Sequence, residues 1–172
     1  MRATYTYYTV GGKTGALVFS PKGLIRLLLP SSKECTSRWI RNNYPGAKYS
    51  KDQAQALMRQ LQKYFQGNQA SFDVNFDLSE CSPFQKLIYR ELIKVPFGNT
   101  RSYKELAEAV GLRGGARAVG TALKNNPIPI IIPCHRIIKS DGSLGGFNSG
   151  VEWKKRLLRL EGIKIGRGGG LR

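Results

Sequence analysis

The spacing of the apolar residues changes along the chain, and this change limits the folds that the sequence can adopt. Residues 1–30 carry strand-forming residues in three short runs, separated by turns that contain glycine and proline. Farther along, apolar residues recur at steps of three and four, which is typical of amphipathic helices. Together these patterns predict an α+β fold with an N-terminal antiparallel sheet. The strands are predicted at Thr4–Val10, Ala16–Phe19 and Leu24–Leu29.

The helical pattern extends over six segments and indicates two domains. A chain of 172 residues, 41% of them hydrophobic, can form one or two small domains with real cores. We predict an N-terminal domain over residues 1–77, a helical C-terminal domain over 78–165 and a flexible glycine-rich tail over 166–172. The helices are predicted at residues 31–44, 51–65, 82–95, 103–110, 116–125 and 151–161.

The second domain contains a predicted helix-turn-helix, since two short helical segments flank a glycine turn. The second of these helices is nearly bare at its start, where Gly115, Ala116 and Ala118 surround one long side chain, Arg117. A bare helix face lets the backbone lie close to another surface. That surface is either DNA or a neighbouring helix.

The stretch Ile130–Ile138 carries the reactive side chains. Two isoleucine runs flank Pro133 to Arg136, and they indicate buried extended chain. His135 is the only histidine, so it is the one imidazole that can accept a proton near neutral pH. Cys134 is a candidate nucleophile, because a neighbouring base or positive charge favours the reactive thiolate. A buried cysteine in a core strand is the alternative interpretation.

Three features near this stretch constrain the mechanism. Adjacent residues in extended chain point to opposite faces, so Cys134 and His135 need either a sharp turn or a bridging water. The loop over residues 139–150 is flexible and rich in glycine, as are many loops that wall a ligand site. Glu161 lies in the last turn of a helix, where a negative charge is unfavourable. It indicates a specific partner, or else an exposed acid in a basic protein.

The charge of the chain favours nucleic acid as its partner. The formal net charge is +17, and both halves of the chain are basic. A generally basic soluble protein is the alternative. No apolar run reaches the roughly 18 residues of a membrane span, and no signal-peptide pattern is present. We therefore expect a soluble intracellular protein, cytoplasmic or, in a eukaryote, nuclear, that binds no membrane.

The cysteines are few and widely spaced, at Cys35, Cys81 and Cys134, without a CxxC pair. This distribution argues against a disulfide framework. A structural zinc site needs about four Cys or His ligands, and the chain has only three cysteines and one histidine in all. We expect neither a metal nor a cofactor.

The string Ile132–Ile138 resembles the active-site signature of the O6-alkylguanine-DNA alkyltransferases, also called methylated-DNA–protein-cysteine methyltransferases. Further pieces follow in the family's order over about residues 80–163. They are Ser102-Tyr103, Ala116–Gly120, Asn125–Pro129, the loop Gly146–Gly150 and Leu160–Gly162. The resemblance implies a ribonuclease H-like N-terminal domain and a winged-helix-like C-terminal domain with a helix-turn-helix.

The resemblance also implies a reaction and the residues that carry it out. Cys134 would take an alkyl group from O6 of guanine in one irreversible displacement, and O4 of thymine is a further candidate. His135 would draw the thiol proton through a water, and Glu161 would hold and stabilise the imidazole. Tyr103 would protonate or hydrogen-bond the leaving guanine, and Asn126 would fix the signature's backbone and waters.

The damaged base must rotate out of the duplex to reach the thiol. By resemblance the second helix enters the minor groove, and Arg117 fills the space that the base leaves. The implied DNA-binding residues are Ser102, Gly115, Ala116, Arg117, Ala118 and Lys124. The implied residues of the base and alkyl pocket are Pro129, Ile137, Phe147, Asn148 and Ser149. Pro129 and Phe147 would supply apolar walls, and backbone groups at Cys134, Ile137 and Asn148 or Ser149 would read the edge of the base. The expected partner is double-stranded DNA carrying O6-alkylguanine, bound by a monomer.

Three other function classes fit parts of the sequence. A module that binds alkylated bases without repairing them would lack the reactive cysteine, which is present here. A cysteine hydrolase would need an oxyanion hole and repeated turnover. A transcription factor that uses its helix-turn-helix would bind a specific sequence and would tolerate the loss of Cys134.

Overall fold

The computed structural model describes residues 2–166 and 168–171, and these residues divide into two compact units. The first unit comprises the described residues through Gln66 together with Ala70–Leu78. The second comprises Gly67–Gln69 and the described residues from Ser79 onward. Within this described part, no helix is both long and apolar enough to cross a membrane.

The first unit is built on a four-stranded sheet of order β3-β2-β1-β4. Antiparallel pairing joins β1 to β2 and β2 to β3, as the sequence predicts. The short β4 pairs with β1 in parallel, so the sheet is mixed and the purely antiparallel prediction was wrong. The cause is topological, because a helix separates β3 from β4 and returns the chain in the direction of β1. The strands are β1 (Thr4–Val10), β2 (Lys13–Ser20), β3 (Gly23–Ser31) and β4 (Lys48–Tyr49).

Two helices, α1 (Lys33–Asn43) and α2 (Gln55–Phe65), cover opposite faces of this sheet. Neighbouring strand residues point to opposite sides. The Tyr7 hydroxyl accordingly lies 3.0 Å from Ser37 Oγ on α1, whereas the Tyr8 ring stacks on Phe65 of α2 with centroids 6.4 Å apart. The apolar side chains between the layers form the core of the unit, among them Leu17, Leu24, Leu57 and Leu61.

The second unit is mainly helical, which brings the α-helices of the described residues to six. The pair α4 and α5 is the predicted helix-turn-helix. Capping boxes begin α3 at Ser82 and α4 at Ser102, where each serine accepts a hydrogen bond from a backbone amide three residues on. The helices are α3 (Pro83–Ile93), α4 (Tyr103–Ala109), α5 (Ala116–Lys124) and α6 (Val151–Leu160). A two-stranded parallel sheet joins β5 (Arg101–Ser102) to β6 (Ile137–Ile138).

The signature stretch is buried as predicted, but most of it is not extended. Ile130 lies in the left-handed region with φ 75°, and the Ile132 amide donates to the Ile128 carbonyl at 2.9 Å, which closes a turn. Cys134–Arg136 then forms one turn of 3₁₀ helix before β6. The prolines of this region explain the difference, because they lack the amide hydrogen that a strand ladder needs. The chain therefore turns sharply at the thiol, one of the two possibilities that the sequence leaves open.

The described residues after α6 differ from the predicted flexible tail. Gly166 donates to the Gly170 carbonyl at 2.8 Å, and the Leu171 amide donates to the Gly142 carbonyl at 3.0 Å. Leu171 also packs beside Ile163 and Ile165 on an apolar cluster of the second unit. Arg167 and Arg172, which belong to the predicted tail, lie outside the described residues.

Candidate active site

A cavity of about 660 Å³ opens in the second unit and reaches the thiol of Cys134. Its volume is in the range of sites that hold a small molecule. Side chains from α4, from α5 and from the loop after β6 form its walls. The lining residues predicted from the sequence are Tyr103, Ala116, Arg117, Lys124, Cys134, Phe147 and Asn148. Lys139, Ser140, Gly145 and Gly146 also line it, and they belong to the loop over residues 139–150 that the sequence predicts as a wall of a ligand site. The lining residues not predicted are Lys104, Gly120 and Leu123.

Cys134 begins the 3₁₀ turn and is 7% exposed. Burial raises the pKa of its thiol to about 11, although a hydrogen bond from Asn126 and the charge of Lys154 act in the opposite direction. The sequence predicts a thiolate here, because a base and a cation adjoin the sulfur. That prediction was wrong for the resting protein, because burial raises the pKa of the thiol more than these neighbours lower it. The resting nucleophile is therefore a neutral thiol, and its proton has to leave during the reaction.

His135 is fully buried, and its Nε2 lies 2.7 Å from Glu161 Oε1. Burial lowers the pKa of the imidazole, and the charges of Arg136 and Lys154 lower it further, whereas Glu161 raises it. The ring is therefore neutral near pH 7. A carboxylate can only accept a hydrogen bond, so Nε2 carries the proton and Nδ1 becomes the basic nitrogen.

Glu161 occupies the C-cap of α6 and lies in a dense hydrogen-bond network. Arg136 donates to both carboxylate oxygens, from Nε at 2.9 Å and from Nη2 at 3.0 Å, and the Gly98 amide donates at 3.1 Å. Burial alone would raise the pKa of this carboxyl, but its bonds to His135 and Arg136 lower the pKa to about 2. The buried acid thus has several partners, which resolves the unfavourable placement noted in the sequence.

Asn126 follows α5 and is 8% exposed. Its Nδ2 donates to the Ile132 carbonyl at 2.7 Å and to Cys134 Sγ at 3.0 Å, and its Oδ1 accepts from the Ile128 amide at 3.0 Å. One side chain therefore connects both ends of the turn at residues 128–132 with the thiol.

Tyr103 is the first residue of α4, and its ring forms part of the cavity wall. Its hydroxyl donates to the Gly146 carbonyl at 3.5 Å, a long contact that a bound base can replace. Burial raises the pKa of this hydroxyl, as does the neighbouring Cys134. The phenol is accordingly protonated near neutral pH and can serve as a hydrogen-bond donor.

Lys154 on α6 is fully buried, and the sequence analysis did not identify it. Its Nζ donates to the carbonyls of Ile137 and Leu144, and it lies 5.7 Å from the centre of the Tyr103 ring. Burial lowers the pKa of the ammonium to about 8. The available signal was its position three and four residues before Leu157 and Leu158, which places it on the buried side of α6.

The implied DNA-binding residues differ in what surrounds them. Arg117 and Lys124 are exposed and line the cavity, whereas Ala118 is exposed but lies outside its described lining. Gly115 caps α5, and a Cβ built there would lie 2.3 Å from the exposed Leu112 side chain, which would have to move to admit it. Ser102 serves as the N-cap of α4, where it accepts from the Glu105 amide at 3.1 Å.

Only two of the five implied pocket residues line the cavity. Phe147 and Asn148 line the cavity, but Pro129, Ile137 and Ser149 do not occur among its described lining residues. The carbonyl of Ile137 accepts a hydrogen bond from Lys154. A role for that carbonyl in reading a base edge therefore requires it to accept a second hydrogen bond.

Known proteins resemble this chain over most of its length. Residues 83–163 match the family model for the DNA-binding domain of 6-O-methylguanine DNA methyltransferase. A methylated-DNA–protein-cysteine methyltransferase of Methanosarcina barkeri is 43% identical over 81% of this chain and 79% of its own. Its counterpart in Mycobacterium bovis is 37% identical over 90% of this chain and 91% of its own.

The fold matches as well. The crystal structure of Mycobacterium tuberculosis OGT in complex with DNA superposes with a TM-score of 0.78 at 35% identity, covering 92% of each chain. The same α+β arrangement thus occurs in a protein whose structure was determined with DNA. On this likeness of sequence and fold, the chain belongs to the family of methylated-DNA–protein-cysteine methyltransferases.

Proposed function

We propose that this protein repairs duplex DNA by moving an alkyl group from O6 of guanine to Cys134, once per molecule. We also propose that it can remove an alkyl group from O4 of thymine. A bond forms between Sγ and the alkyl carbon as the bond from that carbon to O6 breaks. His135 takes the thiol proton, and Tyr103 donates toward the guanine ring as it leaves. In the net reaction the thiol hydrogen passes to guanine, and a thioether remains on the protein.

The observation that carries the proposal is a cavity that reaches a buried thiol with an imidazole–carboxylate pair beside it. The burial of His135 and its bond to Glu161 support proton acceptance at Nδ1. Apolar Phe147 and the Tyr103 ring support stacking against an aromatic base. We also propose a monomer as the acting unit, because Cys134, His135, Glu161 and Tyr103 all lie within the second unit.

Duplex DNA as the partner is supported by the charges at the cavity. Lys104, Lys124 and Lys139 line it together with Arg117, and all four side chains are exposed. Four exposed cations at one cavity suit the phosphates on either side of an everted nucleotide. We infer that Arg117 enters the duplex in place of the lost base, because it lies at the cavity and at the start of α5.

We infer from the family resemblance that α5 enters the minor groove, although the size of a helix alone favours the wider major groove. A helix with side chains is about 10–12 Å across, and the minor groove is about 6 Å wide. We infer that the small residues Ala116 and Ala118 permit contact with a widened minor groove. We also infer a ribonuclease H-like first unit and a winged-helix-like second unit. The mixed sheet with a helix on each face supports the former, and the α4–α5 pair with its short sheet supports the latter.

The test is stoichiometric transfer. Purified protein is mixed with duplex DNA that carries labelled O6-methylguanine, and the label is located by peptide mapping. We expect no more than one equivalent of label per protein, on the peptide that contains Cys134. Cys134→Ser should bind the DNA and transfer nothing, whereas Cys35→Ser, a change at an exposed cysteine, should transfer fully. Label that stays on the DNA, or more than one equivalent released per protein, would overturn the proposal.

A further inference from the structure

The described residues 163–166 and 168–171, here called the C-terminal segment, fold back onto the loop that forms one wall of the cavity. Gly170 pairs with Ser143 in an antiparallel bridge, and the Leu171 amide donates to the Gly142 carbonyl at 3.0 Å. A second bridge, between Ile165 and Leu171, closes the segment on itself. These contacts bring residues after α6 against the tip of a loop more than twenty positions earlier in the chain.

Apolar packing adds to these hydrogen bonds. Ile138, Leu144 and Leu158 form a buried cluster in the second unit. The partly buried Ile163, Ile165 and Leu171 pack against that cluster from the C-terminal segment. Because Leu144 belongs to the loop and Leu158 to α6, the segment covers the place where the loop meets the helix.

The contacted residues divide the loop into two parts that both reach the cavity. Lys139 and Ser140 line it before the contact, and Gly145 to Asn148 line it afterwards. Gly142 and Gly145 have φ values of 80° and 68°. Glycine loses the most conformational freedom on ordering, so a loop with several glycines needs contacts from outside to keep one conformation.

We infer that the C-terminal segment, in its described residues 163–166 and 168–171, is a positioning element for the reaction. It holds Gly142–Leu144 in place, so that Phe147 and Asn148 keep the spacing from Cys134 that an everted alkylated base requires. Lys154 holds the same loop from α6 through the Leu144 carbonyl, and the segment holds it through Gly142 and Ser143. This role rests on the proposed function, since the loop is taken to contact the base.

Two glycines of the segment provide a matched pair of variants. A Cβ at Gly170 would lie 3.3 Å from the Gly142 carbonyl oxygen, so Gly170→Ala pushes directly on the loop. A Cβ at Gly168 would meet nothing within 4 Å, so Gly168→Ala is the same chemical change without the contact. Leu171→Asn removes the apolar contact while leaving the backbone unchanged.

Three measurements are made on the full chain with each variant. They are hydrogen exchange of the peptide over residues 139–150, the rate of benzyl transfer from a fluorescent O6-benzylguanine, and the rate at which iodoacetamide alkylates Cys134. We expect Gly170→Ala and Leu171→Asn to exchange faster in the loop and to transfer benzyl about tenfold more slowly, because misplaced binding groups reduce productive encounters. The iodoacetamide rate and all values for Gly168→Ala should match the parent protein.

The inference would be overturned if Gly170→Ala and Leu171→Asn showed the same hydrogen exchange in the loop and the same benzyl-transfer rate as Gly168→Ala. An equal loss in the iodoacetamide reaction would also overturn it, because the segment would then support the thiol rather than the loop. If the parent protein fails to take up benzyl, the proposed function fails. The exchange comparison would still decide whether the segment positions the loop.

Discussion

His135 and Glu161 are 26 positions apart in the chain, yet His135 Nε2 lies 2.7 Å from Glu161 Oε1 in a fully buried setting. The carboxylate fixes the tautomer of the ring and leaves Nδ1 as the basic nitrogen. Arg136, the residue after the histidine, binds the same carboxylate through two nitrogens. The acid at the end of α6 therefore fixes the 3₁₀ turn that carries the thiol.

Glu161→Gln should remove both stability and activity. The glutamine keeps the size of the side chain but leaves the Arg136 guanidinium buried without its counter-charge. Breaking a buried ion pair in this way costs about 3–5 kcal/mol. Urea unfolding and single-turnover benzyl transfer measure the two effects. Glu108→Gln, at an exposed position on α4, is the control and should change the free energy of unfolding by less than about 0.5 kcal/mol. Equal stability of the two variants would contradict the buried network.

Acid should weaken the folded state through the same carboxylate. The pKa of Glu161 is about 2 in the folded protein, below its ordinary value of 4.5. A lowered pKa stabilises the fold above pH 4.5, and this contribution is lost as the pH falls from 4.5 towards 2. A shift of this size corresponds to about 3 kcal/mol. Unfolding of the parent and of Glu161→Gln, measured at pH 6, 4.5 and 3, should show a difference in stability that narrows with acid. A constant difference would refute the assignment.

Lys154→Met should slow alkyl transfer by about tenfold. Without the charge of Lys154 we expect the pKa of the Cys134 thiol to rise by about one unit, which reduces the thiolate fraction about tenfold. The charge of Lys154 opposes the effect of burial on Cys134, and its Nζ holds the Leu144 carbonyl. Because the pKa of Lys154 is about 8, the ammonium loses its charge above that pH. The ratio of parent to variant rates should therefore be largest below pH 8 and should fall above it. Lys155→Met changes the neighbouring, partly exposed lysine and should leave the pH profile unaltered.

Arg117→Ala should weaken repair of duplex DNA far more than reaction with O6-benzylguanine in solution. The side chain is exposed at the cavity, where we propose that it replaces the everted base in the stack. Arg90→Ala removes an exposed arginine on α3, away from the described cavity lining, and controls for the loss of one charge. Both reactions are followed at two salt concentrations, since binding through phosphates weakens steeply with salt. Equal losses with duplex and with benzylguanine would discredit the role in base eversion.

The alkylated protein should melt at a lower temperature than the unused one. Transfer adds at least a methyl group to a sulfur that is 7% exposed and that accepts a hydrogen bond from Asn126. Overpacking of this kind costs about 1–3 kcal/mol. Calorimetry before and after benzyl transfer measures the change, with mock-treated Cys134→Ser as the control. An unchanged melting temperature would show that the site accommodates the thioether without strain.

Periodicity alone located the long elements of this fold, because apolar residues at two- or three-to-four-residue spacing mark which face is buried. The predictions that were wrong concern features that the apolar pattern of a single segment does not determine. The two-residue strand β4 carries too short a pattern to detect, and its pairing with β1 depends on the path of α1. The turn at Ile130 arose because flanking prolines prevented a strand that the isoleucines otherwise favoured.

The site residues also fall into those that a sequence motif identifies and those that only the folded structure reveals. The motif around Cys134 contains its histidine and arginine in sequence, so those candidates could be named directly. Lys154 was missed because its partners are backbone carbonyls of Ile137 and Leu144, which no side-chain pattern reveals. The raised pKa of the thiol was also missed, since the depth of burial depends on the packing of the whole unit.

The buried thiol also bears on how long the protein remains usable. A molecule that reacts only once must keep its sulfur reduced until a lesion arrives. Oxidants and disulfides attack exposed thiolates, and a pKa of about 11 leaves Cys134 almost entirely protonated at neutral pH. Peroxide in the cell should therefore consume the surface Cys35 first. Burial keeps the Cys134 thiol protonated and therefore unreactive towards oxidants, which preserves it for its single reaction.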